Sequence, residues 1–328
     1  MTMNLKNAQY YIDGVLAKKR AIIAKTITLI ESALPAHQDM AQKILDALVP
    51  YSGNAVRVGI TGVPGVGKST FIESFGMILA EQEHYVAVLA VDPSSSKSGG
   101  SVMGDKTRME KLALHPRAYI RPSPSSGTLG GVAKKTRETM IVCEAAGFDV
   151  VLVETVGVGQ SETTVASMVD FFLLLMLAGA GDELQGIKKG ILELADAIAI
   201  NKADGDNIER AREAKNEYES ALNLLTPESS LWSVPVLTCS ALTLDGIDHI
   251  WQTILEHRKQ LKTAGELTER RRQQTIDWML TLVEEGLKDR FYNNPKVRAE
   301  LSRITEAVET GKISPTAAAY ELLHIDPK

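Results

Sequence analysis

The chain has 328 residues, of which 44% are hydrophobic and 23% charged, with a formal net charge of −5. This is ordinary globular composition with material for a sizeable core, and its acidic balance offers no general attraction to nucleic acid or to an anionic membrane. Cys143 and Cys239 are the only cysteines; they are too few for a disulfide framework, so both read as small buried hydrophobes of a chain kept in a reducing cytoplasm.

The N-terminal stretch MTMNLKNAQYYIDGVLAKK lacks the apolar core and small-residue cleavage site of a secretory signal. From residue 7 to about 48 the pattern is helical, with Val15, Ile22, Ile23, Ile27 and Ile30 at three-to-four spacing. A break near Pro35 separates this helix from a second that begins at about Gln38, and VPYSGN at 49–54 reads as a linker. Residues 1–52 are therefore expected to form a helical extension.

The rhythm then changes. Short apolar runs occur at 56–60, 86–91, 150–153, 171–177, 197–200 and 234–237, with helical stretches at 70–81, 137–146 and 206–224. Strands alternating with helices predict an α/β unit over 53–258, its mostly parallel sheet flanked by helices. The most apolar run, FFLLLMLA, is far short of the ~20 residues that span a bilayer and reads as a strand buried on both faces. Beyond about Gly246 the chain is helical again, and 259–328 is expected to be an arm that packs on the central unit or on another subunit. Within it ERRRQQ, at 269–274, reads as a solvated helix face rather than a nucleic-acid patch.

Ligands on such sheets sit beyond the carboxyl ends of the strands. After the first run, Gly62, Val63, Pro64, Gly65, Val66, Gly67, Lys68 and Ser69 match the phosphate loop G-x-x-x-x-G-K-[ST], with Thr70 following on the helix. Its glycines let backbone N–H groups converge on phosphate oxygens without Cβ clashes, and the helix N-terminus adds its positive dipole end. Lys68 would reach the β- and γ-phosphates, and the Ser69 hydroxyl would ligate Mg²⁺. This predicts a P-loop NTPase.

The base is read later in the chain. The strand AIAIN ends in Asn201, Lys202 and, two residues on, Asp204. A carboxylate there accepts both N1–H and the exocyclic amine of guanine, whereas adenine would leave it buried and unpaired, a strong basis for discrimination. The Lys202 stem would lie over the base and Asn201 would tie the base to the phosphate loop. Ser240, Ala241 and Leu242, in CSAL, close the next strand where a backbone N–H would meet guanine O6. GTP and GDP are the nucleotides this pattern predicts.

Two further strand ends supply acids: Asp92 in VLAVDPSSS and Glu154 in VVLVETVGVGQSE. Either could bind Mg²⁺-coordinated water or orient the attacking water, and Gly157 is placed for its N–H to meet the γ-phosphate. Asp105, in SGGSVMGDKTR, is a further Mg²⁺ candidate. Val158 stands where many small GTPases carry a water-positioning Gln, and Gln160 has no assigned role, so hydrolysis should be slow until another group is brought in. Gln185, Lys188 and Lys189, in AGDELQGIKKGILE, and Arg108 are the candidates for that group.

These residues together resemble the SIMIBI-class GTPases that serve metalloenzymes. Within that class ITLIES, DPSSSKSGGSVMGDKTRM, RPSPSSGTLGG and ETVGVGQSE resemble the methylmalonyl-CoA mutase-associated GTPases of the MeaB/ArgK type, over essentially the whole chain. The resemblance implies a homodimer with contacts from the C-terminal helices. It also implies a GTP-gated chaperone that controls cofactor loading of adenosylcobalamin-dependent methylmalonyl-CoA mutase and protects it from inactivation. Asp92, Asp105 and Glu154 would then belong to the Mg²⁺ and switch machinery, and the segment from Gln185 to Lys188 to a further switch.

Other classes fit less well. An ATP-using kinase, or an energiser of arginine or ornithine transport, is a label the family has carried, but Asp204 argues against ATP. Six scattered His and two distant Cys give a metal-delivery role no ligands. No Met-rich groove or basic amphipathic tail suggests a membrane-targeting GTPase.

Overall fold

The computed structural model describes residues 6–91, 109–122, 129–155, 161–179, 189–222 and 231–325. It divides into two compact units, Met1–Arg271 and Arg272–Lys328.

The first unit opens with three helices, α1 (Ala8–Leu16), α2 (Arg20–Glu31) and α3 (Pro35–Leu48). The Asn7 side chain caps α1 by accepting the Tyr10 N–H at 3.0 Å. The expected single helix up to Pro35 is in fact two, because the chain reverses at Lys18, whose φ is 55°. Pro35 then opens α3 rather than preceding it, since a proline in the first helical turn sacrifices no hydrogen bond.

A parallel seven-stranded sheet follows, β1 (Val56–Gly62), β2 (Val86–Val91), β3 (Ala118–Arg121), β4 (Val150–Thr155), β5 (Phe171–Leu177), β6 (Ala197–Asn201) and β7 (Val236–Thr238). Their spatial order is β3-β2-β4-β1-β5-β6-β7, which sets β1 at the centre between β4 and β5. The helices of this region are α4 (Lys68–Glu81), α5 (Glu110–Leu114), α6 (Leu129–Ala145), α7 (Ser161–Ala166), α8 (Lys189–Leu194), α9 (Ile208–Leu222) and α10 (Ile247–Thr263).

Both faces of the sheet are covered. Ile23, Ile27 and Ile44 of the N-terminal helices and Val142 of α6 share a core with Val151, Val153 and Phe172 on one face. Phe71, Phe75, Trp251 and Ile254 pack with Val58, Ile60 and Leu173 on the other. This two-sided burial explains the nearly unbroken apolar strands, and each fully buried Ile, Leu, Val or Phe stabilises the fold by about 1.5–3 kcal/mol.

The amino ends of the strands carry an ionic cluster. Asp170, 2% exposed, accepts from Arg271 Nε and Nη2 at 2.7 and 2.6 Å and from the Arg57 backbone N–H at 3.0 Å. Arg258 and Arg271 also donate to the backbone carbonyl of Ala55, each at 2.7 Å, and Arg258 to that of Asn54 at 2.8 Å. Asp196 accepts the Phe172 N–H at 2.7 Å and lies 3.4 Å from both His257 and Arg270. The run ERRRQQ is thus only partly a solvated face: Arg270 and Arg271 turn inward to Asp196 and Asp170. Burial alone would raise the Asp170 carboxyl, but Arg271 and Arg57 hold it below the usual carboxylate range.

The boundary between the units falls within α11 (Glu266–Tyr292), and the second unit continues through α12 (Pro295–Glu309) and α13 (Pro315–Leu323). Asn294 and Ser314 cap the last two helices, each followed by a proline in the first turn. Met279, Leu280, Val283 and Leu287 are each more than half exposed and lie at three-to-four spacing on α11.

Candidate nucleotide site

The loop between β1 and α4 is built by left-handed backbone. Gly62, Gly65 and Gly67 have φ of 156°, 80° and 90°. A Cβ on Gly62 would lie 2.4 Å from the Leu175 carbonyl oxygen, and one on Gly67 would lie 3.2 Å from Asn201 Nδ2. Only glycine fits the first position without displacing β5. Val66 is fully buried and pins the loop from beneath, leaving Pro64 and Gly65 exposed at its crest.

Lys68 opens α4 and donates from Nζ to the Gly62 carbonyl at 2.7 Å, closing the loop on itself. Burial lowers its pKa, an effect opposed by the carboxylates of Glu154 and Glu162. The next residue, Ser69, donates from Oγ to Glu154 Oε1 at 3.4 Å. Glu154 is 4% exposed and reaches this place because β4 pairs with β1 in a register that aligns it with Ile60. A hydroxyl beside a buried carboxylate, under a phosphate loop, is a hard-oxygen pair. It fits Mg²⁺, which keeps most of its ligands as water and phosphate oxygen. Among the described residues no group of three or more His, Cys, Asp or Glu could hold a metal by itself.

The residues expected to read the base converge from the ends of β6 and β7. Asn201, 1% exposed, donates from Nδ2 to the Val66 carbonyl at 2.8 Å and accepts the Ala241 N–H on Oδ1 at 3.1 Å. Lys202, with φ 60°, donates from Nζ to the Gly65 carbonyl at 2.8 Å, which carries its stem across the opening of the loop. Asp204 accepts the Ser240 hydroxyl, and that hydroxyl oxygen in turn accepts the Leu242 and Thr243 N–H groups at 3.2 and 3.1 Å. The Ala203 N–H to Cys239 carbonyl bond, 3.0 Å, ties the two turns together.

The structure therefore brings together Gly62, Val63, Pro64, Gly65, Val66, Gly67, Lys68, Ser69 and Thr70 with Glu154, Asn201, Lys202, Asp204, Ser240, Ala241 and Leu242. The backbone N–H groups of Ser240, Ala241 and Leu242 are engaged within the protein, with Asp245 O, Asn201 Oδ1 and Ser240 Oγ respectively, and the Leu242 side chain is 79% exposed. Asp92, Asp105, Gly157, Val158, Gln160, Gln185, Lys188 and Arg108 lie outside the described residues, as does the side chain of Lys189.

One residue had no role in the sequence reading. Glu162, 2% exposed in α7, is near enough to act on the Lys68 charge. An acidic residue at a helix start looks like an ordinary dipole-compensating side chain, so the sequence carries no signal for this placement.

The family described as methylmalonyl Co-A mutase-associated GTPase MeaB matches residues 23–296. A probable GTPase of Mycobacterium tuberculosis (strain H37Rv) is 56% identical over 318 residues, covering 96% of this chain and 95% of its own. GTPase ArgK of Escherichia coli K12 is 50% identical over 93% of this chain and 92% of its own. A Mus musculus protein, methylmalonic aciduria type A homolog, mitochondrial, is 46% identical over 96% of this chain and 79% of its own. The crystal structure of an LAO/AO transport system kinase matches with TM-score 0.78 and 42% identity over 98% of both chains.

Proposed function

Because the chain belongs to the MeaB family of methylmalonyl-CoA mutase-associated GTPases, we propose that it is a GTP-gated chaperone of adenosylcobalamin-dependent methylmalonyl-CoA mutase. In this reading it assists assembly and cofactor loading of the mutase and protects it from inactivation. The observation that carries the nucleotide half is the pairing of Asp204 with Ser240 beside a phosphate loop knotted to Asn201. The partner half rests on the family and on the name of the mouse relative.

Each residue has a part. The N–H groups of the loop from Gly62 to Ser69 cradle the phosphates, and Lys68 leaves the Gly62 carbonyl to neutralise the β- and γ-oxygens. Ser69 and Glu154 would hold Mg²⁺, with Asp92 and Asp105 as the further candidates. Bound there, the ion would supply Lewis-acid stabilisation of charge on the phosphate oxygens. Glu154 also orients water toward the γ-phosphate, and the Gly157 N–H reports whether that phosphate is present. Asp204 accepts the guanine N1–H and exocyclic amine, and the Lys202 stem covers the base.

Val158 offers no amide to the attacking water, so intrinsic turnover is slow. The mutase completes the site through the segment from Gln185 to Lys189, with Lys188 as the added cation. Two copies of the chain associate through the apolar stripe of α11 at Met279, Leu280, Val283 and Leu287, whose exposure is costly in a monomer. The complex works in the cytoplasm, with neither nucleic acid nor membrane as a partner; among the described residues no helix is long and apolar enough to cross a bilayer.

The test is phosphate release from GTP and ATP, with and without the mutase, for wild type and Lys188→Ala. The expected result is GTP preference and stimulation by the mutase that Lys188→Ala blunts more than it weakens GTP binding. ATP turnover equal to that of GTP would support instead a kinase or transport-energising role, in line with the transport system kinase named for one structural relative. No stimulation by the mutase would remove the chaperone reading.

A further inference from the structure

The Asn201 carboxamide is the joint between base pocket and phosphate loop, and its Oδ1 has a second donor. Cys239, 1% exposed at the end of β7, points its thiol at Asn201 Oδ1 with Sγ 3.7 Å away. That distance is within range for a sulfur donor, although a thiol is a weak one. The backbone around it is fixed. Its N–H donates to the Ile200 carbonyl at 2.9 Å, and its carbonyl accepts the Ala203 N–H at 3.0 Å. Behind it, a Cβ on Gly246 would lie 3.2 Å from the Cys239 Cα, so the turn has no slack. Burial pushes the thiol pKa up to about 12, so the sulfur keeps its proton at neutral pH.

A primary amide can sit either way round in its pocket, and its donors and acceptors decide which. With the Ala241 N–H and the Cys239 thiol both aimed at one atom, that atom must be the oxygen, and Nδ2 is turned to the Val66 carbonyl. The second Nδ2 hydrogen is then available to N7, the acceptor that every purine presents. On the guanine reading above, on which this inference rests, a backbone N–H of the Ser240–Leu242 turn also serves O6. If the Ala241 N–H is shared with the base, its hold on Asn201 weakens and the thiol is the donor that remains.

We infer that Cys239 is a positioning residue of the nucleotide site, its thiol holding the Asn201 carboxamide in the orientation that links purine to phosphate loop. Its contribution is greatest when nucleotide is bound, so it appears in affinity more than in the stability of the empty protein. It acts on the purine edge that guanine and hypoxanthine share, not on the 2-amino group that Asp204 recognises.

The experiment titrates GDP and inosine diphosphate into full-length wild type, Cys239→Ser, Cys239→Ala and Cys239→Val by calorimetry, with melts of each protein without nucleotide. One hydrogen bond corresponds to about threefold to tenfold in affinity. Cys239→Ala and Cys239→Val should lose that factor for GDP and the same factor for inosine diphosphate. Cys239→Ser, which keeps a donor, should stay within about twofold of wild type. Wild-type affinity in Cys239→Val would overturn the inference, and so would equal losses in Cys239→Ser and Cys239→Ala, which would mark the role as packing. A changed ratio of GDP to inosine diphosphate would also overturn it, by placing the effect at Asp204. Should Cys239→Val fail to fold, the Ser and Ala variants decide. A wild type that does not bind GDP would overturn the guanine reading first, and is seen before any variant is compared.

Discussion

In the proposed reading Asp204 concentrates base selectivity in one carboxylate. Changing it to Asn replaces an acceptor of two guanine donors by a group that is half donor, so Asp204→Asn should lose GTP affinity and gain affinity for xanthosine triphosphate, whose 2-oxo group suits an amide. Loss of a charge-assisted pair of this kind is worth about 1.5–3 kcal/mol, or roughly tenfold to a hundredfold. Competitive titration of the two nucleotides measures the switch, and unchanged selectivity would count against Asp204 as the base reader. Lys68 makes a contrasting case. Its ammonium is held by one carbonyl of its own loop and is partly desolvated, so it contributes little to the fold. Lys68→Ala should therefore abolish tight triphosphate binding by calorimetry while leaving the melt of the nucleotide-free protein nearly unchanged. Both residues were legible in the sequence because their chemistry sits in short motifs. Glu162 was not, because only the path of α7 brings it to Lys68, and no spacing encodes that path.

At the scale of elements, the sequence was most readable where burial is uniform. The apolar runs at 86–91 and 171–177 coincide with β2 and β5 to the residue. β1 and β4 run on past their apolar stretches into Thr61, Gly62, Glu154 and Thr155, since their polar ends are what the sheet delivers to the loop. β3 escaped notice: AYIR is four residues long and lies at the sheet edge, with too few positions for a pattern. The first turns of α6 hid behind Gly130 and Gly131, poor helix formers on their own, and the residues after them, Val132 and Ala133, are buried against the core. The inward turn of Arg270 and Arg271 was illegible for a different reason, as their partners Asp196 and Asp170 lie 74 and 101 residues away in the chain. That cluster makes a pH prediction. The folded-state pKa of Asp170 is depressed, so its stabilisation is fully present above the unfolded value of about 4 and is lost as pH falls through the folded one. Asp170→Asn should cost about 3–5 kcal/mol at neutral pH, because it leaves Arg271 without its counterion. Denaturant titrations from pH 7 downward should show a shallower acid loss in the variant below about pH 4.

For the whole molecule, the exposed apolar stripe on α11 and the proposed GTP gate lead to a test of assembly. Leu280→Glu combined with Val283→Lys should shift the species seen by light scattering from dimer to monomer, at a cost of several kcal/mol of association from the lost apolar burial. GDP affinity should be unchanged, since neither side chain belongs to the nucleotide site. A dimer that persists would move the interface elsewhere. The ionic cluster at the amino ends of the strands has a consequence for dissecting the protein. Asp170 and Asp196 lie immediately before β5 and β6, but Arg271 and Arg270, among their counterions, come 101 and 74 residues later, on a helix that runs on out of the first unit. A recombinant fragment that stops short of Arg271 would keep every residue of the nucleotide pocket and still strip the buried Asp170 carboxylate of its two Arg271 hydrogen bonds. The shortest piece able to stand alone is therefore set by charge pairing at the foot of the sheet, and ends after residue 271.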